Sequence, residues 1–583
     1  MKSLIGIALA SAVALSAAAA ERPNVLMIIT DDHAVEAFGT CDSDSPVPLP
    51  NFRRLASEGM VFDRSYCGNS LCGPSRATIY TSRHSHRNAY LYNGGPAFDG
   101  NQPTFPKVLG AAGYQTAIIG KWHLDSMPTG FDFWEIFSNQ GQYYNPDFYD
   151  GVPNGSGGLK WRGRRVDGYA TDLVTDKALK WLDGRDKERP FALVVAHKAP
   201  HRPWLPAERH LGKAKEFVSK LPVPETFFDD YANRPHSLKL NEQTLARHFA
   251  VWSDQHILPP EFFKDPANRE LLKKALGTED FSAYTADDDV VKTVELGGYQ
   301  WRLGELGRMT DEQKIPWVRY HAERTREMIE GVKSGRLKDP KALAEWRWRT
   351  YMEDYLGTIM AVDDSIGTIL DYLDSKGLSE NTLVVYCGDQ GFYTGQHGLY
   401  DKRWIFEESF RMPLVMRWKG HIAPGVRSTA MVQNIDYGAT FCALAGAAEE
   451  AKKAGFQGRD LSPLFKTGME EGFEDRPLYY AFYENPGEHN APRHDGIRTK
   501  RYTLGHFVKN RSWPNNVPFT ESDEWLLIDN ETDPSQLVNV AGSPDYRDIL
   551  ESLKRQYFQS RGEYKVPEYL PGGDLKLVKP AWQ

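Results

Sequence analysis

Four short, unbroken apolar runs constrain this chain most: N-V-L-M-I-I-T (Asn24–Thr30), Thr116–Gly120, F-A-L-V-V-A (Phe191–Ala196) and Thr382–Cys387. Runs of this length without polar alternation suit strands buried on both faces. Helical patterns accompany them at Pro50 to Gly59, Phe105 to Gly113 and Asp172 to Asp183. A longer one runs from about Ala342 to Ser375, where Trp348, Met352, Tyr355, Ile359, Val362, Ile366, Ile369 and Leu373 mark one buried face. A further strand is expected over Leu414–Trp418. This alternation predicts an α/β fold: a large, mostly parallel sheet sandwiched by helices.

The rest of the chain is organised around that sheet. Lys2, an apolar run from Leu4 to Leu15 and Ala18-Ala19-Ala20 have the layout of a secretory signal peptide over residues 1–20. That run is too short to span a bilayer, and no later one is long enough. Export to the periplasm or the cell exterior is therefore expected, with no membrane span. Residues 21–464 form the expected catalytic α/β domain. Within it, residues 205–341 are charged, helix-prone and broken by prolines, as in an insertion decorating the sheet. From 465 to 583, short strands, aromatics and turns suggest a smaller C-terminal α+β unit. A net charge of -8 argues against a nucleic-acid partner. Five cysteines, an odd number in an exported chain, ask for one with a separate fate; the pairing of the others stays open.

In open α/β sheets, ligands bind beyond the carboxyl ends of the strands. Asp31-Asp32 follows the first run, Lys121-Trp122-His123 the second, and H-K-A-P-H, ending at His201, the third. Gly388-Asp389-Gln390-Gly391 and then Lys402 follow the fourth. Asp31, Asp32, Asp389 and Gln390 offer an all-oxygen ligand set, which suits Ca²⁺ or Mg²⁺ better than zinc or copper. Lys121, His123 and Lys402 add positive charge for an anionic group beside the metal. A cysteine at position 72, preceding a helix that reads from Ala77 onward, would face a helix N-terminus, where anions are favoured. A buried, inert thiol is the alternative for any single cysteine.

Cys72-Gly73-Pro74-Ser75-Arg76 resembles the C-x-P-S-R signature of the type I sulfatases, and the Asp-Asp, Lys-x-His, Pro-His and Asp-Gln-Gly elements follow in that family's order. The likeness extends to W-L-L-I-D-N-E-T-D-P near the C-terminus. Asp389 to Ser409, Gln140 to Phe148 and Glu484 to His494 are similar to bacterial carbohydrate sulfatases of the N-acetylglucosamine-6-O-sulfatase type. Gln390 stands where many sulfatases carry Asn, and Thr81-Ser82-Arg83 replaces the commoner Thr-Gly-Arg. The resemblance implies an alkaline-phosphatase-like fold, a bound calcium, and a maturation enzyme that converts Cys72 to formylglycine (3-oxoalanine).

On that resemblance the hydrated aldehyde at Cys72, also a metal ligand, attacks sulfur, with Arg76 favouring its ionised form and a covalent sulfo-enzyme resulting. Lys121 and Lys402 hold the sulfate oxygens, His201 protonates the departing sugar oxygen, and His123 drives release of sulfate. His489, Arg493 and His494 are candidate contacts to a sulfated saccharide; Gln140 and Asn145 are weaker ones. Two rival readings stay open: a phosphodiesterase or phosphonate monoester hydrolase of the same superfamily, and a non-catalytic binder of sulfated glycans.

Overall fold

The computed structural model describes residues 22–38, 45–153, 159–251, 253–295, 305–469, 472–485, 487–508 and 523–569. The expected leader and Cys41 lie outside the described residues. A ten-stranded sheet runs in the order Val426–Ser428, Met60–Phe62, Leu414–Arg417, Thr382–Gly388, Asn24–Thr30, Phe191–Ala196, Gln115–Gly120, Phe133–Phe137, Asp147–Pro153, Leu159–Arg165. Pairing is parallel from Thr382–Gly388 through Phe133–Phe137. Leu414–Arg417 and the final hairpin join antiparallel.

The first strand shows why the sheet is a sandwich filling. Leu26 and Ile28 face one apolar core, while Val25, Met27 and Ile29 face another. All five are at most 1% exposed, and each such side chain contributes about 1.5–3 kcal/mol of burial. The first core packs against helices Ala170–Gly184 and Pro340–Ser375, the second against Cys72–Thr81 and Asp436–Leu444. The long helix starts two residues earlier than its periodicity suggests. Pro340 takes the first turn, and the Asp339 carboxylate accepts from the amides of Lys341 (2.7 Å) and Ala342 (3.0 Å).

Between residues 205 and 341 lie short helices and one long one, Asp311–Lys333, opened by a Thr310/Gln313 capping box. Trp317, Val318 and Ala322 of this helix share the core that holds Leu26 and Ile28. Near the C-terminus, Leu478–Phe482, His494–Arg498, Tyr502–Phe507 and Glu524–Asp529 form a separate antiparallel sheet. Helix Arg547–Tyr564 packs on it through Leu553 and Tyr557. Among the described residues no helix is long and apolar enough to cross a membrane.

Strand register sets the functional edge. Thr30 pairs with Gly388, and both Ile29 and Gly120 pair with Ala196. Asp31, Asp389, Lys121 and His197 therefore leave the sheet level with one another.

Candidate active site

Two adjacent residues leaving a strand normally point to opposite sides. Here Asp31 and Asp32 reach the same cleft because Asp32 adopts a left-handed backbone (φ 63). The Tyr355 hydroxyl, from the long helix, holds that bend by donating to the Asp32 carbonyl (2.8 Å) and accepting from the Ala34 amide (2.8 Å). His123 bends in the same way (φ 56) and so joins Lys121. Gly120 has φ 105, and a Cβ there would sit 2.0 Å from the Ala196 carbonyl oxygen, so only glycine fits where Lys121 turns inward.

Helix Cys72–Thr81 brings its N-terminus to this edge. It begins earlier than the Ala77 start that the sequence suggests, with Cys72 itself as the first helical residue. Cys72 Sγ stands 4.0 Å from Asp32 Oδ1. Each neighbouring residue has a structural task. Ser75 Oγ donates to the Asp389 carbonyl and accepts from Asn434 (2.8 Å). Arg76 donates from Nε to Asp389 Oδ2 (3.0 Å) and from Nη1 to the Lys121 carbonyl (2.8 Å). Its Nη2 is buried without a hydrogen-bond partner. The helix ends at Ser82 with φ 49, a conformation glycine would adopt without strain.

Asp31, Asp32 and Asp389 have carboxylate oxygens within 4.8 Å of one another, as do Asp31, Cys72 and His201 with their ligand atoms. Lys121 pairs with Asp31, and Lys402 Nζ lies 2.5 Å from Asp32 Oδ1. Gln390 donates to Asp32 through its amide nitrogen. Asp31 Oδ1, Asp32 Oδ2 and Gln390 Oε1 remain buried with no hydrogen-bond donor. Three unpartnered oxygens in one buried cluster are costly unless a cation takes them. The donor set thus fits a hard divalent ion.

The electrostatics agree. Burial raises the Asp32 pKa to about 7 despite Lys402, with Asp31 and Asp401 pushing the same way. Burial also holds Asp389 well above the usual carboxylate range, with Asp31 adding to the effect and Arg76 opposing it. Asp31 goes the other way: burial alone would raise it, but Lys121, His201 and Arg76 together hold it well below that range. Three carboxylates this close do not all ionise without compensating charge.

Both proposed acid–base histidines are at this site. His201 donates from Nδ1 to the Arg202 carbonyl (2.5 Å) and points Nε2 at Asp32 Oδ2 (3.6 Å). Gln140 accepts from Lys121 and donates to His123 Nε2 (3.2 Å), leaving that nitrogen unprotonated. Burial, reinforced by Lys121, lowers the pKa of His123; burial also lowers that of His201 against the pull of Asp31. Asn145 instead ties the insertion down, donating to the Arg308 carbonyl (2.6 Å) and Gln313 (2.9 Å).

The candidate sugar contacts divide. His489 Nε2 meets Asp401 Oδ2 at 3.0 Å, at the mouth of the cleft. Arg493 lines a neighbouring cleft of about 450 Å³ with Tyr92, Asn93, Glu484 and Glu488, and its Nε donates to the Tyr483 carbonyl (3.1 Å). His494 requires correction: it is fully buried, stacked on Phe507 (4.8 Å) and packed by Tyr480 and Phe482. As the first residue of a central strand of the small sheet it packs in that sheet's core, with Nε2 buried and without a hydrogen-bond partner.

Sequence reasoning missed Asp401 and Arg403, on either side of Lys402. Arg403 Nη1 pairs with Asp401 and Nη2 with Glu488, both at 2.6 Å. Only Lys402 was legible, because strand alternation would turn its neighbours away. Positive φ at Asp401 (73) and Arg403 (103) breaks that alternation. The four described cysteines, Cys67, Cys72, Cys387 and Cys442, are unpaired and buried, and Cys72 places its sulfur within 4.8 Å of ligand atoms of Asp31 and His201.

A buried acidic cluster ringed by lysines and histidines, at the carboxyl edge of a parallel sheet, suits an enzyme that acts on anionic esters. Within that class the chain belongs to the sulfatase family. The Sulfatase family profile matches residues 23–447, and that of the N-sulphoglucosamine sulphohydrolase C-terminal region matches 395–563. An N-acetylglucosamine-6-O-sulfatase of Bacteroides thetaiotaomicron is 36% identical over 573 residues, covering 96% of this chain and 91% of that protein. Human N-acetylglucosamine-6-sulfatase is 25% identical over 474 residues, 77% of this chain and 65% of its own. The structure of BT4656 with its substrate D-glucosamine-2-N,6-O-disulfate superposes with a TM-score of 0.78 at 36% identity, covering 93% of this chain and 98% of that one. A phosphonate monoester hydrolase from Silicibacter pomeroyi shares the fold (TM-score 0.58, 18% identity, 95% and 99% covered). The architecture is the alkaline-phosphatase-like one of sulfatases, and the enzyme hydrolyses sulfate esters.

Proposed function

We propose that this sulfatase removes the 6-O-sulfate from a glucosamine or N-acetylglucosamine unit, after export and after conversion of Cys72 to formylglycine by a maturation enzyme. The observation that carries the reading is Cys72 in a buried acidic cluster that Lys402 links, through Asp32 and Asp401, to a polar group of Asp401, Arg403 and His489. Asp31, Asp32, Asp389, Gln390 and residue 72 would hold a divalent cation, Ca²⁺ by the oxygen chemistry of the set. When bound, the cation supplies positive charge for the sulfate oxygens, and the aldehyde supplies the nucleophile.

The chain's own residues do the rest. Arg76 fixes Asp389 and would favour the ionised form of residue 72 through its charge, which lies close enough to interact with it. Lys121 and Lys402 hold sulfate oxygens as charge develops. His201, its Nδ1–H held by the Arg202 carbonyl, would protonate the leaving sugar oxygen from Nε2 as the imidazolium, the second proton being taken up beside Asp32 and the bound anion. His123, whose Nε2 is unprotonated while Gln140 donates to it, would take a proton from residue 72 at that same nitrogen, displacing the Gln140 contact.

The test is sulfate release by the matured protein with Ca²⁺, using 6-sulfated N-acetylglucosamine, other sulfated sugars and matched phosphate and phosphonate esters, with Cys72→Ala as the blank. Preferred release from the 6-sulfated amino sugar is expected. Turnover confined to phosphorus esters would refute the reading, and an unmodified, inactive thiol in the native host would favour a binding protein. A mature N-terminus other than Glu21 would refute the leader assignment.

A further inference from the structure

Beside the catalytic cleft, between the 205–341 segment and the strand that leads to Lys402, lies a second concavity of about 560 Å³. Lys239, Arg247 and Lys341 line it, and all three are exposed. Lys239 and Arg247 form no ion pair among the described residues, and Lys341 lies over the ring of Phe228 (5.3 Å). Phe228 is 48% exposed and presents part of its ring to the groove. Against these cations the groove sets Asp230 and Asp229, and Asp229 is already satisfied by Arg234 and by His397 (2.9 Å). A local excess of positive charge in a chain of net charge -8 marks a surface for an anion. Cations beside an open aromatic face suit a saccharide carrying sulfate or carboxylate groups.

The groove is joined to the catalytic cleft by shared walls. Gly398 lines the groove and Asp401, three residues on, lines the cleft, a span of roughly 10 Å for extended chain. Tyr400, between them, donates to the carbonyl of His248 in the groove wall (3.1 Å) and packs its ring on His489 (5.3 Å). The Glu242 amide donates to the His489 carbonyl (2.9 Å), tying the groove's segment to the cleft mouth.

We propose that this groove is a second saccharide subsite, which takes a sulfated or uronate-bearing unit of a glycan chain whose scissile unit occupies the catalytic cleft. The inference rests on the proposed sugar-sulfate activity for the placing of the scissile unit. The acid groups of the distant unit would meet Lys239, Arg247 and Lys341, and its apolar face would lie against Phe228.

The test uses the full chain with Lys239→Ala, Arg247→Ala and Lys341→Ala combined, all exposed positions. A heparin-type tetrasaccharide is titrated calorimetrically into the Cys72→Ala protein, with and without the three changes, at two salt concentrations. The matured enzyme, with and without them, is assayed on 6-sulfated N-acetylglucosamine. Expected is a loss of about tenfold in tetrasaccharide affinity and a shallower salt dependence. Monosaccharide kcat/KM should stay within about twofold. Unchanged tetrasaccharide affinity, or an equal loss on the monosaccharide, would overturn the proposal. If the unaltered enzyme cleaves no sugar sulfate, the activity reading fails by itself, while the tetrasaccharide titration still decides whether the groove binds an anionic glycan.

Discussion

Replacing Arg403 by Ala separates recognition of the sugar from hydrolysis of the sulfate. Arg403 is 3% exposed, and its two ion pairs have unequal weight. Glu488 is largely exposed, so that pair contributes at most about 1 kcal/mol. Asp401 is buried but keeps Lys402 (3.4 Å) and His489 (3.0 Å) as partners, so folding should survive. Under the proposed function, the Asp401–Arg403–His489 group beside Lys402 takes the sugar, and the guanidinium would donate to one of its hydroxyls. A lost charge-assisted hydrogen bond costs about 1.5–3 kcal/mol. That corresponds to roughly a 10- to 150-fold fall in kcat/KM on 6-sulfated N-acetylglucosamine. An aryl sulfate, with no sugar hydroxyls, should lose less than about threefold. The assay is sulfate release from both substrates by matured Arg403→Ala protein, with thermal melting as a folding check. Equal losses on the two substrates would refute the reasoning, placing Arg403 behind Lys402 as support for catalysis.

Three further outcomes follow from the site and the core. Chelation should abolish activity and lower the melting temperature in a way that Ca²⁺ restores, since saturation at about a hundred times Kd stabilises by about 2.7 kcal/mol; calorimetry with and without chelator checks this. His201→Ala should slow sugar sulfates by about 10²–10⁴ but aryl sulfates, whose leaving groups need no proton, far less; steady-state kinetics on both decide it. In the small C-terminal sheet, Asp495 is fully buried; burial raises its pKa, but His506, Arg561 and the Tyr479 hydroxyl more than offset that and depress it to about 2. A depressed carboxyl stabilises above its unfolded value and loses that contribution as pH falls through the folded one, here about 2 kcal/mol between roughly pH 4 and 2. Asp495→Asn should therefore lower stability at neutral pH and flatten the acid limb of a urea-denaturation series.

The residues proposed to carry the chemistry were legible because the strands that deliver them are continuous apolar runs. Asp31, Lys121, His201 and Asp389 each lie just beyond such a run, and parallel register brings the ends level. The Cys72 motif was legible only through its resemblance to a family signature; the contacts of Ser75 and Arg76 with Asp389 across the helix–sheet boundary came from the structure. Sequence reading stopped where local periodicity ceased to report direction. Asp401 and Arg403 flank Lys402 in the chain, yet their left-handed backbones decide where they point. His494 failed in the opposite sense: polar neighbours suggested a binding loop, while pairing with Phe482 and Phe507 made it the start of a central strand.

By itself, then, the sequence determined the parallel α/β sheet, the long helix and the set of acids, lysines and histidines at its edge, because burial periodicity and turn chemistry are local properties. Only the tertiary structure decided which of those groups share one cluster, which of their oxygens lack a hydrogen-bond partner, and which cations of the insertion line one groove. Those outcomes depend on contacts between residues hundreds of positions apart, such as Tyr355 with Asp32 and Arg76 with Asp389, and on backbone bends that no periodicity encodes.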